Sequence, residues 1–416
     1  MRIKLCVWIM ILSLFVPVLL IAGGEKEGAK EEEIVLTFFT QEPGAYPTIN
    51  TEVQKSFEAK HPNVRIDKQV VGYAQFQSTL ASLLATGEAP DIIMAEPGGP
   101  YISQVQAGAF LDLNPYLGAD GDKWAGEFYA SALDLMRVDG KVYAIPVSLN
   151  NLQVMLNRGM LEEYGLKEPR TVDELIAMVP KLKGITPITF GFADKWSAVD
   201  LFVVFVWQQG AGDLMRKADY GKAKWTEPVF VKAMDTIKKI ADSGASYEGA
   251  TAMAWHEDAL PNWVQGNSIM VWPGGNFMIQ DIPSDMKADA LWFPTMRGGK
   301  RVLTGGVALA LGVSSTSEHK DLAVEFLKEF TTQDSYKIIF VNGVSPGGPL
   351  KVEAKSAYPL ADKVNKQQGE AVDRRIYTPE FYDAIAVAVQ GIFAGDITPR
   401  EAVSQIQKVS EEVYGK

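Results

Sequence analysis

Residues 87–117 read GEAPDIIMAEPGGPYISQVQAGAFLDLNPYL. Gly87–Pro90 is a turn signal, Asp91–Met94 is a short apolar run, and Pro97-Gly98-Gly99 is a second turn signal. An apolar run this short, bounded on both sides by Gly and Pro, reads as a buried strand rather than a helix. What precedes it decides the kind of sheet. Ile34–Phe39 and Val64–Val71 are two more apolar strands. Between them Ile49, Val53 and Phe57 recur at helical spacing, and Tyr73, Phe76, Leu80, Leu83 and Leu84 form a second helical face. Strand, helix, strand, helix, strand predicts an α/β fold with a mainly parallel sheet and helices on both faces.

Downstream, Gly140–Met160 (GKVYAIPVSLNNLQVMLNRGM) holds two strands in close succession, and the first crossing between two lobes is placed there. Thr171-Val-Asp-Glu174 and Thr398-Pro-Arg-Glu401 are helix-start signals, in which a Thr hydroxyl and a Glu carboxylate satisfy otherwise unpaired N–H groups. In SIMVWPGGNFMIQ, Ser268–Trp272 is a strand, Pro273–Gly275 end it, and Asn276 and Phe277 open a helix. Leu303–Phe330 gives a strand, a Ser/Thr loop and a helix. A chain of 416 residues exceeds one ordinary core. The expected division is 34–146 with 303–341 in an N-terminal lobe and 147–302 with 342–416 in a C-terminal lobe.

The composition, 47% hydrophobic and 22% charged, is that of a folded globular protein. A formal charge of −11 without a basic stretch argues against nucleic acid or an anionic membrane surface as partner. Arg2 and Lys4, the apolar stretch Leu5–Ile21 and the small residues Ala22, Gly23 and Gly24 form the pattern of a cleaved secretory signal, residues 1–24. Gly23-Gly24 stands where a lipoprotein would carry cysteine, and the single cysteine, Cys6, leaves with the signal. The charged run at residues 25–33 reads as a disordered acidic tether. Export to the periplasm or cell exterior is therefore expected.

His61, His256 and His319 are isolated, without metal-ligand spacing, and each is expected at the surface or in a turn. No GxSxG, no GxxxxGK[ST] and no helix-opening GxGxxG occurs. The expectation is a protein with no catalytic centre, metal or cofactor. Glu42 and Glu96, both in turns at strand ends, are the carboxylates to suspect if a glycoside-cleaving pair exists.

Taken in order, SFEAKHPNVRID (56–67), the opening 87–117 segment, the 140–161 segment, PRTVDELIA, WVQGNSIMVWPGGNF, LTGGVALALGVSS and FAGDITPREAV resemble the extracellular solute-binding proteins of family 1, the maltose-binding-protein-like carbohydrate receptors of ABC importers. The resemblance spans nearly all of residues 34–416 and lies in the order and spacing of the motifs. It implies a periplasmic-binding-protein-like fold with two α/β lobes, a hinge crossed more than once, and a cleft that closes on a sugar or small oligosaccharide. The implied partners are that carbohydrate and the importer's membrane subunits, with the receptor a monomer. A different polar solute, such as glycerol-phosphate or a polyamine, stays open as an alternative ligand, as does, with less support, a secreted glycoside-acting enzyme.

By the same resemblance, Gln41, Glu42 and Tyr46 form a ligand-facing loop after the first strand, and Glu96 follows the third. Ser148 and Asn150 face the cleft from the hinge, and Gly305 and Gly306 lie where the chain returns to the first lobe. Trp196 and Trp255, in polar loop-like contexts, are candidate sugar-stacking faces, whereas Trp207 in an apolar run reads as core. Relatives usually carry Gly-Pro-Trp where this chain has Gly275, Asn276 and Phe277. Phe277 keeps a stacking face but lacks the indole N–H, so sugar preference does not transfer from them.

Overall fold

The computed structural model describes residues 32–41, 46–118, 124–332, 334–335, 337, 356, 358–367 and 370–415. The expected signal segment, the tether up to residue 31, residues 342–355 and Glu42 lie outside them, and Tyr46 is described by its backbone alone. The apolar runs form strands β1 (Ile34–Thr40), β2 (Val64–Val70), β3 (Ile92–Ala95), β4 (Arg137–Val138), β5 (Lys141–Val142), β6 (Ile145–Asn157), β7 (Thr186–Phe190), β8 (Ser268–Gly274), β9 (Ala288–Leu291), β10 (Leu303–Val313) and β11 (Ala371–Asp373). β4 and β5 make a small hairpin; the others form one sheet in the order β2-β1-β3-β10-β6-β8-β7, with β11 on β10 and β9 on β6.

On the flanks the strands are parallel, as expected: β1 with β2 and β3, and β7 with β8. The middle is antiparallel, β10 running against both β3 and β6, and β6 against β8 and β9. The reason is connectivity. β6 carries the chain away from the first half and β10 brings it back, and two neighbouring strands that go out and return must oppose each other.

Two large groups of buried side chains flank this crossing. One draws its buried members from residues 36–147 and 307–330, the other from 152–296 and 376–406. A smaller third group surrounds Trp255, Trp263 and Met278. Ile49, Val53, Phe57, Phe76 and Leu80 are buried as their spacing predicts. The helix Trp196–Gln208 is apolar almost all round because it is enclosed almost all round, with 11 of its residues buried. It nonetheless carries buried Asp200, whose two oxygens accept from Nη1 of Arg374 at 2.9 and 2.7 Å. Trp207, read as core, is only partly buried, and its indole donates to the Asp373 carbonyl at 3.1 Å. The Thr398–Glu401 capping box is complete. At Thr171 one half forms: its hydroxyl accepts from Glu174 N–H, while the Glu174 carboxylate takes the N–H of Arg170 instead.

β6 and β10 pair closely at Gly305. A Cβ there would lie 2.5 Å from the Asn150 carbonyl oxygen, a backbone atom that cannot step aside. Gly305 thus serves the approach of strand to strand. Gly305→Ala is expected to destabilise the protein by about 2 kcal/mol, seen as a lower denaturant midpoint. Asp200→Asn leaves a guanidinium buried without its counter-charge and is expected to cost about 3 kcal/mol by the same measurement. A wild-type midpoint in either variant would contradict the packing described here.

Candidate functional site

A cavity of about 750 Å³ lies between the two large groups of buried side chains. One wall comes from the helices Tyr73–Thr86 and Gly99–Gln106. On the first, Phe76 and Leu80 point into the core, while Gln77, Ala81, Leu84 and Ala85 share the opposite face and line the cavity. Leu84, grouped with the buried stripe by spacing, is partly buried against that core and also borders the cavity. On the second, Pro100, Ser103 and Gln104 do the same. Glu96, at the end of β3, completes this wall. Its Oε2 accepts from the Gln77 amide at 3.0 Å, and Gln77 Oε1 accepts from Gln104 at 2.9 Å, a chain of neutral donors that fixes the carboxylate.

The facing wall is Ala193–Trp196 with Pro379, Tyr382 and Asp383 at the start of the helix Pro379–Ala394. The two walls meet beside the cavity at Gly99, whose N–H donates to the Ile376 carbonyl at 3.1 Å. A Cβ on Gly99 would stand 2.8 Å from Pro379 Cα, so glycine there permits the meeting. Lys195 and Asp383 form an exposed ion pair at 2.9 Å. Asp194 is buried and accepts the Trp255 N–H on Oδ2 at 2.6 Å. Burial pushes its carboxyl up to about 6, helped by the negative charges of Glu257, Glu96 and Asp258 and opposed by the Trp255 hydrogen bond.

Behind Trp196 stands a cluster of aromatic rings. Trp196 and Trp255 have centroids 5.8 Å apart, Trp255 and Phe277 5.2 Å, and Trp196 and Phe277 6.3 Å edge to face. His256 joins them at 4.7 Å from Trp255. Expected at the surface or in a turn, it is instead half-buried in a single turn of π-helix, Trp255–Ala259. Burial lowers its imidazole to about 4, so it stays neutral at ordinary pH. Only Trp196 of these rings lines the cavity.

The sequence candidates therefore fall into three places. Glu96 and Trp196 line the cavity from opposite walls. Trp255 and Phe277 support Trp196, with Trp255 itself fully buried. Most of the remainder lie on or against the crossing strands β6 and β10. Ser148 and Asn150 are buried on β6, Asn276 donates to the Leu149 carbonyl at 3.3 Å, and Gly305 and Gly306 lie on β10 opposite Asn151 and Asn150. Gly275 packs against the Asn151 carbonyl, where a Cβ would stand at 2.8 Å. Gln41 follows β1 and is buried. Gln41 Oε1, Asn276 Oδ1 and Trp255 Nε1 are buried polar atoms without a hydrogen-bond partner among the described residues. Sequence reasoning missed Asp194, Tyr382, Gln77 and Gln104. Asp194, two residues before Trp196, had a signal in its neighbour; Tyr382 had none, because it arrives from nearly 200 residues away in the chain. No group of three or more His, Cys, Asp or Glu among the described residues is placed to hold a metal ion. No helix among them is long and apolar enough to cross a membrane.

Comparison with known proteins fits this geometry. The multiple sugar-binding protein of Streptococcus mutans is 24% identical over 320 residues, covering 73% of this chain and 72% of that protein. The diacetylchitobiose binding protein of Streptomyces coelicolor is 26% identical over 324 residues, 75% and 72% of the two chains. A solved structure from work on xylan utilization by the thermophilic bacterium Caldanaerobius polysaccharolyticus superposes with a TM-score of 0.79 at 26% identity, covering 90% of this chain and 99% of that one. Residues 40–337 match the family described as bacterial extracellular solute-binding protein, and the chain belongs to that family.

Proposed function

We propose that this protein is the exported receptor of an ABC importer, binding a sugar or small oligosaccharide between its two halves and delivering it to the membrane subunits. The observation that carries the reading is the cavity itself: it is walled by Glu96 from one group of buried side chains and by Trp196 from the other. Sugar rings offer apolar C–H faces and rows of hydroxyls. Trp196 supplies a flat apolar face. Glu96, Gln77, Gln104 and Asp194 supply acceptors and donors, the carboxylates with charge-assisted strength. Relatives named as sugar-binding proteins support the ligand class.

The two lobes are 34–146 with 303–341 and 147–302 with 342–416. They close over the ligand about the strands that join them, β6 and β10. Binding occurs without turnover, by a monomer, and the importer's membrane subunits recognise the closed form. The leader is removed on export.

Millimolar neutral mono- or oligosaccharide is expected to raise the melting temperature and change tryptophan fluorescence, with no release of reducing sugar. A ligand at one hundred times its Kd adds about 2.7 kcal/mol to stability. A broad saccharide panel without any shift would overturn the proposal. Trp196→Ala is expected to weaken binding by about 1 kcal/mol or more through loss of the stacking face. Phe277→Ala removes the ring that supports Trp196, so it should weaken binding comparably and lower the melting temperature of the ligand-free protein more than Trp196→Ala does. Calorimetry and thermal unfolding of the two variants measure both effects, and unchanged affinity in both would remove the aromatic wall from the site.

A further inference from the structure

The charges around the cavity are lopsided. Three carboxylates line it, Glu96, Asp194 and Asp383, against one cation, Lys195, which is paired with Asp383. Asp194 is the informative member. It is 6% exposed, and its one side-chain hydrogen bond among the described residues uses Oδ2. Its other oxygen, Oδ1, has no hydrogen bond among the described residues and belongs to a residue of the cavity lining. No ion pair among the described residues involves Asp194. The neighbouring charges that act on its carboxyl are all acidic: Glu257 and Asp258 from the π-helical turn and Glu96 from the opposite wall. Arg374, ion-paired with Asp200, also acts on Glu96, but it is not among the charges that act on Asp194. A partly dehydrated carboxylate in a negative field gains most from a cation, less from a hydroxyl, and is repelled by another anion.

We propose, building on the receptor reading above, that the cavity selects its saccharide by charge through Asp194, taking a sugar that bears a protonated amine ahead of its neutral counterpart and rejecting one that bears a carboxylate. The ammonium sits at Asp194 Oδ1 with Glu96 across the cleft, while the ring lies against Trp196. The selection depends on the carboxylate being ionised, so it weakens as pH falls through about 6, where Asp194 takes up its proton. Lys195 is held in its ion pair with Asp383, and neutral His256, with its imidazole lowered to about 4, adds no charge there.

The test uses the full chain and three saccharides of one ring framework, carrying a free amine, only hydroxyls, or a carboxylate. Calorimetry near neutral pH is expected to give the amine form about tenfold tighter binding than the neutral form, and the carboxylate form the weakest. In Asp194→Asn the ratio of amine to neutral affinity falls toward one. If that variant does not fold, the wild-type ratio measured above and below pH 6 reads the same dependence. A carboxylate sugar that binds as well as the neutral one, or a ratio unmoved both by the substitution and by pH, overturns charge selection while leaving a sugar receptor intact. Failure of all three saccharides to bind instead removes the receptor reading on which it rests.

Discussion

The pairing of β6 with β10 is the constraint on which the rest of this molecule depends. These strands are the central pair of the nine-stranded sheet, and each leads from one group of buried side chains to the other. Their close approach requires the missing Cβ of Gly305 against the Asn150 carbonyl. Their pairing joins the two parallel flanks, with the cavity between the helices that cover them. The polar residues Ser148, Asn150, Asn151 and Gln153 are buried along β6 where apolar ones would be the rule. Asn151 donates to the Val364 carbonyl and Gln153 to Gln367 Oε1, both at 2.7 Å, so this polar seam ties the crossing to the C-terminal segment.

The cavity inherits its chemistry from two levels of support. On one wall a chain of amides, Gln104 to Gln77 to Glu96, holds a carboxylate in place. On the other, Asp194 holds the Trp255 N–H, and Trp255 and Phe277 hold Trp196. The π-helical turn at Trp255–Ala259 brings the indole, the imidazole and two acids to one place. Such turns are often found at functional sites.

The departure from Gly-Pro-Trp has a structural consequence. Phe277 lies behind Trp196 and Trp255, while Asn276 turns back to the hinge strand at Leu149. Among the described residues, the aromatic side chains that line the cavity are Trp196 and Tyr382, from other segments. The positions where the resemblance implies Pro and Trp lie behind the wall here rather than in the cavity lining.

The α/β alternation, the strand positions near Asp91 and Ser268, and the helix starts at Thr171 and Thr398 were all readable from the chain itself. Each of these rests on local causes: hydrophobic period, turn residues and capping chemistry act within a few residues. The antiparallel centre of the sheet, the burial of Trp255, the half-buried neutral His256 and the presence of Tyr382 and Asp194 in one wall were decided only by tertiary structure. They depend on which distant segments meet, and no local pattern carries that. Leu84 shows the boundary between the two. Its apolar character and helical spacing are properties of the sequence and do place it against the core, but that its outer edge also borders a cavity is settled by what packs opposite it.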